Sequence, residues 1–186
     1  TEIYTLSLHD ALPICLRYRF RHADEVTFSY VRSSAVGNLN AFELYFGNYH
    51  YPVIRADEVG PQPFDVPNRW LVTGIVSLPY GFILAPLLEI RDGFPYSLVD
   101  EEQRFVGARN RGGRFPLFAS LDVNLVKKVD IKFRGRVYHT QIGIKIYNLT
   151  NHWNPRDVQN NVDSPALGTF YNSVGRQFRG KFEIDF

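Results

Sequence analysis

Three short stretches of this chain carry residue types that can do chemistry. Asp100-Glu101-Glu102 sets adjacent carboxylates side by side, a starting point for acid–base work. Adjacent carboxylates in a long loop are usually just solvated. Asp157, Asn160, Asn161 and Asp163 offer oxygen ligands of the kind that Ca²⁺ takes. Their spacing matches no standard calcium loop, and Asx turns are the simpler reading. Arg109 to Arg114, RNRGGR, has the composition of a nucleic-acid-binding segment, but one copy between two strands reads as a loop. His22, His50, His139 and His152 are scattered over turns, loops and a strand, which suits surface residues. The chain has no HExxH, GxSxG, Walker A or paired-cysteine pattern. We therefore expect no catalytic residue, no metal site, no cofactor and no enzyme activity. Asn148-Leu149-Thr150 fits a glycosylation sequon, to which its place in a strand gives no weight.

Ligand capture is the better use for such residues. Arg104, Arg109, Arg111 and Arg114 fall in one long connection, where they could pair with anionic groups. Tyr45, Phe46, Tyr49 and Tyr51 fall in another, where rings could stack on sugars or chelates.

What holds these loops is an all-β framework. The chain has 186 residues and a net charge of +2, which gives no case for a nucleic-acid partner. Its 45% hydrophobic and 22% charged residues exclude bulk disorder. The longest apolar run, Phe82 to Leu88, contains Pro86 and is too short for a membrane helix. A single cysteine excludes a disulfide framework. From Gln177 to Phe186 the odd positions are all polar, and the even ones are all apolar or Gly. That is a strand with two different faces. The pattern recurs at Ile142, Ile144 and Ile146, at Leu121, Val123 and Leu125, at Val26, Phe28 and Tyr30, and at Leu16, Tyr18 and Phe20. Segments 69–78 and 82–91 are more apolar, with weaker alternation. Seven strands are expected, near 16–20, 25–34, 69–78, 82–91, 118–128, 136–148 and 176–186.

The connections alternate between short and long. His22-Ala23-Asp24, Pro79-Tyr80-Gly81 and the link near Val129 to Gly135 are short. Those at 35–68, 92–117 and 149–175 are long, and loops of that length usually carry function. Strict alternation sends every long loop to one end of an up-and-down sheet, the asymmetry of bacterial outer-membrane barrels. Phe20, Tyr80, Phe82 and Phe186 then fall at the short-turn end; Tyr30, Trp70, Phe118 and Tyr147 fall towards the long-loop end. Two such girdles suit a membrane barrel. In that case Lys145, Lys181 and Glu183 face a polar lumen. A soluble secreted β-sandwich binding module alternates in the same way, with its apolar face against a second sheet.

Several ordered motifs carry a resemblance. The run Ile146 to Phe186, beginning IYNLTNHWNP and ending GRQFRGKFEIDF, resembles the C-terminal end of TonB-dependent outer-membrane receptors. The likeness is greatest to those with an N-terminal carboxypeptidase-regulatory-like domain. FDVPNRW (Phe64 to Trp70), GFPYS (Gly93 to Ser97) and NRGGRFPLFASLD (Asn110 to Asp122) also look like that group. The resemblance implies the cell outer membrane and a barrel of about 22 strands around a plug. It implies energised ligand uptake into the periplasm rather than catalysis, with TonB acting through the plug. The partners it implies are membrane lipid, the rest of the barrel and the barrel-assembly machinery. That machinery would read Phe182, Ile184 and Phe186 as a terminal signal, an edge strand docking through its main chain. Seven strands cannot close such a circumference, so an open, curved antiparallel sheet with two unpaired edges is expected, prone to aggregate in water.

Residues 1–14, TEIYTLSLHDALPI, resemble something else: the translation of a common short-read sequencing adapter, matched at all fourteen positions. On that reading they are an artefact, Cys15 is a junction residue, and residues 15–186 are the barrel part. Without them the acidic count falls from 19 to 17 against 21 basic residues, a net of +4. The segment is then expected to pack against nothing specific.

Overall fold

A computed structural model describes residues 8–20, 24–37, 59–133 and 135–185. Its long strands are β1 (Leu8–Arg19), β2 (Glu25–Gly37), β3 (Asn68–Leu78), β4 (Phe82–Arg91), β5 (Phe118–Phe133), β6 (Arg136–Tyr147) and β7 (Gln177–Asp185). They form one antiparallel sheet in which spatial order is chain order. Gly60–Pro61 lengthens it with a two-residue pairing beside the end of β2. Strands β1 and β7 do not pair with each other, so the sheet is open.

The expected strands stand where the alternation put them, with three differences, the first being that β2 runs on to Gly37. Strand β5 runs on to Phe133 and β6 starts at Arg136, so their link is a tight turn in which Gly135 takes φ 76°. Strand β1 begins at Leu8 rather than Leu16. The expectation that residues 1–14 pack against nothing is therefore corrected for the last seven of them. Leu8 to Ile14 pair one by one with Val36 to Tyr30. The physical reason is that the outer edge of β2 offers a row of N–H and C=O groups to any extended segment. Side-chain fit plays little part: Leu12 and Ile14 are 67% and 60% exposed.

Register fixes two faces across the whole sheet. Phe178 and Phe182 of β7 lie opposite Ile146 and Ile142 of β6. Ile146 and Ile144 lie opposite Val123 and Leu125 of β5. That row continues through Leu84 and Leu88 of β4, Val72 and Trp70 of β3, and Phe28 and Tyr30 of β2 to Leu16 and Ile14 of β1. All seven strands thus present apolar side chains on one side. Where side chains are described, the charged exceptions are Arg32 and Lys127, each opposite the first residue of a neighbouring strand. Lys127 bends its ammonium to 5.0 Å from the Phe82 ring centroid, as a snorkelling lysine does at an apolar boundary.

The other side is polar. It carries Arg179, Lys181 and Glu183 of β7, Gln141 and Lys145 of β6, Asp122 and Asn124 of β5, Glu89 and Arg91 of β4, and Thr27 and Ser29 of β2. Strands β3 and β4 are less cleanly divided, with Leu71, Ile75, Ile83 and Leu87 on this side.

A hydrophobic core of the usual kind is missing from the described residues, whose buried apolar side chains are Ala35, Val99 and Val126. Cohesion comes instead from the strand ladders and, at one end, from a polar loop layer.

The aromatic girdles need one correction. Trp70 stacks on Tyr30 at 4.1 Å and meets Phe28 at 5.6 Å on the apolar side, towards the long loops. Phe118 and Tyr147, expected beside them, lie on the polar side. Phe118 is opposite Arg91 and Tyr147 is opposite Gln177. Period two decides this, because each shares its parity with polar neighbours, Asp122 and Lys145.

Candidate functional site at the loop end of the polar face

The described parts of the three long connections knit into one layer. Asn110 donates from Nδ2 to the Pro61 carbonyl at 2.7 Å, and its N–H donates to Ser97 Oγ at 2.8 Å. Val99 N–H donates to the Asn160 carbonyl, and Val162 N–H returns a bond to the Val99 carbonyl. Asp65 is the centre of a further cluster. Its Oδ1 accepts from Ala35 N–H at 2.7 Å, and its Oδ2 lies 2.5 Å from Arg114 Nη2. Arg114 also donates to the carbonyls of Asp65 and Gly93.

These bonds redefine the arginine set expected to capture ligand. Arg109 is 1% exposed, and its guanidinium donates to the Gly37 carbonyl. It braces the loop layer and is not presented to solvent, which corrects its expected role. Arg114 is committed to Asp65. Arg104 is exposed but neutralised by Asp100 and Glu102, at 2.9 and 2.8 Å. Arg111 is exposed. Tyr45, Tyr49 and Phe186 lie outside the described residues. Phe182 and Ile184 stand on the apolar side of edge strand β7, both exposed.

The acidic stretch is a turn. The Asp100 carboxylate accepts the backbone N–H of Arg104 at 2.8 Å. That bond, more than the Arg104 guanidinium, holds Asp100 below the ordinary carboxyl value of 3.8, against an opposing desolvation. Two of the 157–163 oxygens are engaged within the protein: Asn161 Oδ1 accepts from Asp163 N–H at 2.8 Å, an Asx turn, and Asp157 Oδ2 accepts from Asn172 Nδ2.

The Asn-rich motif after β6 is a closure device. Asn148 takes φ 50° and is 6% exposed. Its Oδ1 accepts from His152 N–H and its Nδ2 donates to the His152 carbonyl, at 3.0 and 2.9 Å. Its own N–H donates to Asp122 on β5. Asn154 pairs twice with the backbone of Ala119, donating from Nδ2 and accepting at Oδ1, as a strand neighbour would. Asn151 Oδ1 accepts from Arg176 N–H just before β7. The chain leaving β6 is thereby fastened to β5 and to the start of β7.

Under this layer, on the polar side of the sheet, lies an open pocket of about 540 Å³. Its size falls within the range of small-molecule sites. Arg91, Arg156 and Arg179 line it, with Asp122 their one acidic companion in the lining. The Arg91 guanidinium lies 4.3 Å from the Phe94 ring centroid and 4.2 Å from that of Phe118. Tyr147 carries Arg179 at 5.0 Å and Lys145 at 4.7 Å. Asp122 is already engaged, accepting from Ser120 Oγ and Asn148 N–H.

No family model, no curated protein and no solved structure matches the chain.

The pocket residues were missed in the sequence because they come from four separate stretches. One signal was available: an arginine at the loop end of a polar-faced strand, as at Arg91 and Arg179, with aromatics of the same parity beside it.

Proposed function

We propose that this chain is the C-terminal barrel segment of a TonB-dependent outer-membrane receptor, contributing wall and outer loops to energised ligand uptake. The observation that carries the reading is the shared orientation of all seven strands, with one apolar side that no second layer of described residues covers. A sheet in water covers such a side with a second layer; a barrel strand turns it to lipid. From Phe82 to Ile90, β4 keeps apolar residues on that side over eight steps, or about 26 Å of strand. That is enough for a tilted strand to cross most of an apolar band about 25 Å tall. The placement of the long connections at one end, and the motifs quoted above, support the same reading. In this role Phe182 and Ile184 belong to the strand that the assembly machinery reads, and the ligand enters from the loop end.

Depth-dependent quenching tests it. In a Cys15→Ser background, a fluorophore is placed at Ile144→Cys or at Lys145→Cys, and the chain is refolded into vesicles containing brominated lipid. Quenching at position 144 but not at 145 is expected. Equal quenching at both, or a chain that remains a soluble monomer away from the vesicles, overturns the reading and leaves the sandwich module in its place.

A further inference from the structure

We propose that the pocket under the loop layer binds a small polyanion, a compact molecule with two or more carboxylate or phosphate groups. The inference rests on the pocket's own lining and holds whether or not the apolar side meets lipid.

Charge is the first argument. Three guanidinium groups line the pocket against one carboxylate. Arg156 and Arg179 have no carboxylate partner among the described residues. Arg91 is met by Glu89, 3.4 Å from its Nε, outside the lining. Asp122 spends one oxygen on two donors of the protein. The lining therefore holds more positive charge than it answers.

Geometry is the second. Cations that serve only solubility extend into water. Here Arg91 is held between two rings and Arg179 lies on Tyr147. Stacking on aromatic faces leaves the guanidinium edge, with its forked N–H donors, available for bidentate pairing. Arg91 directs one of these donors only weakly, at 3.5 Å, to the Asp92 carbonyl. Two or more such forks around a volume of this size suit a molecule with several anionic groups. A single carboxylate would leave most of the charge unanswered.

The test uses the full chain in a zwitterionic detergent and isothermal titration with citrate, pyrophosphate and acetate. Citrate or pyrophosphate should bind, with acetate at least tenfold weaker, and affinity should fall as NaCl is raised. Tighter binding of citrate assigns carboxylates as the head groups; tighter binding of pyrophosphate assigns phosphates. Arg156→Gln and Arg179→Gln, both at exposed positions, should each weaken binding roughly tenfold, the effect of losing one charge-assisted contact. Arg17→Gln, on β1 and outside the pocket lining, should leave it unchanged. Absence of binding at millimolar anion with the strand circular dichroism intact overturns the proposal. So does full affinity in the double variant Arg156→Gln/Arg179→Gln. A chain that binds citrate but fails the lipid-quenching test keeps the pocket and loses the barrel.

Discussion

Arg114 and Asp65, 49 residues apart in the chain, meet with Nη2 2.5 Å from Oδ2, while the other carboxylate oxygen takes the N–H of Ala35. One carboxylate thus joins the end of β2, the approach to β3 and the connection between β4 and β5. Asp65 is 5% exposed, so its carboxylate takes its hydrogen bonds from these partners rather than from water. Arg114→Ala should destabilise the loop layer by about 3 kcal/mol, the low end for breaking a buried pair, because Arg114 is one-third exposed. Hydrogen exchange at the Ala35 amide should accelerate accordingly, while amides in the middle of β6 should not change.

Asn148 separates two effects at one position. Its side chain bridges to His152 while its backbone sits in the left-handed region. Asn148→Ala loses the bonds and strains the backbone; Asn148→Gly loses only the bonds. The bonds should be worth about 2–3 kcal/mol and the backbone about 1 kcal/mol more. Denaturant midpoints at constant slope should rank wild type above Gly and Gly above Ala. Equal midpoints for Gly and Ala would mean that the turn relaxes out of its φ.

The Asp100 turn should respond to acid. Its carboxyl is held below 3.8, chiefly by the Arg104 N–H. A depressed folded value means that the carboxylate's contribution is complete above the ordinary value and is lost as pH falls through the lower folded one. Protection of the Arg104 amide should therefore persist at pH 5 and disappear only in strong acid. An amide equally unprotected at pH 5 would show that the bond does not form. Arg104→Ala should raise the Asp100 midpoint, but only in part, because the replacement keeps its backbone N–H.

Neighbouring residues on opposite sides of β6 give the sharpest contrast in lipid. Ile144→Lys puts an ammonium on the apolar side and should cost about 2–4 kcal/mol of stability in vesicles if that side meets the bilayer. Lys145→Ile, on the polar side, should cost little. Folded fractions measured by protease resistance after reconstitution will rank them. The reverse ranking would mean that the polar side is the one turned to the membrane.

Strand positions were legible because period two is local: Phe178, Phe182 and Ile184 declare their side without reference to any other strand. Parity also held the answer for Phe118 and Tyr147, which share it with Asp122 and Lys145; assigning them by strand end alone misplaced them. Other features were not legible. Nothing around RNRGGR says that Arg109 is buried while Arg111 is exposed, because its acceptors lie in Gly37 and Gly60, on another connection. The extension of β1 to Leu8 was hidden for a different reason. Edge pairing is made by the backbone, so a segment whose Leu12 and Ile14 side chains stay exposed can still complete a ladder.

The rings around Arg91 have a consequence for how fast and how selectively the pocket works. A free arginine side chain has about 2 kcal/mol of rotamer entropy to lose when it is pinned. Held between Phe94 and Phe118, Arg91 has lost much of that freedom by the time the sheet is complete. A ligand arriving later meets a cation that needs no further ordering, and more of the contact energy survives as affinity. Such a site behaves as a rigid die rather than a closing hand. It should discriminate by the spacing of anionic groups, and its association rate should follow diffusion and ionic strength instead of a conformational step.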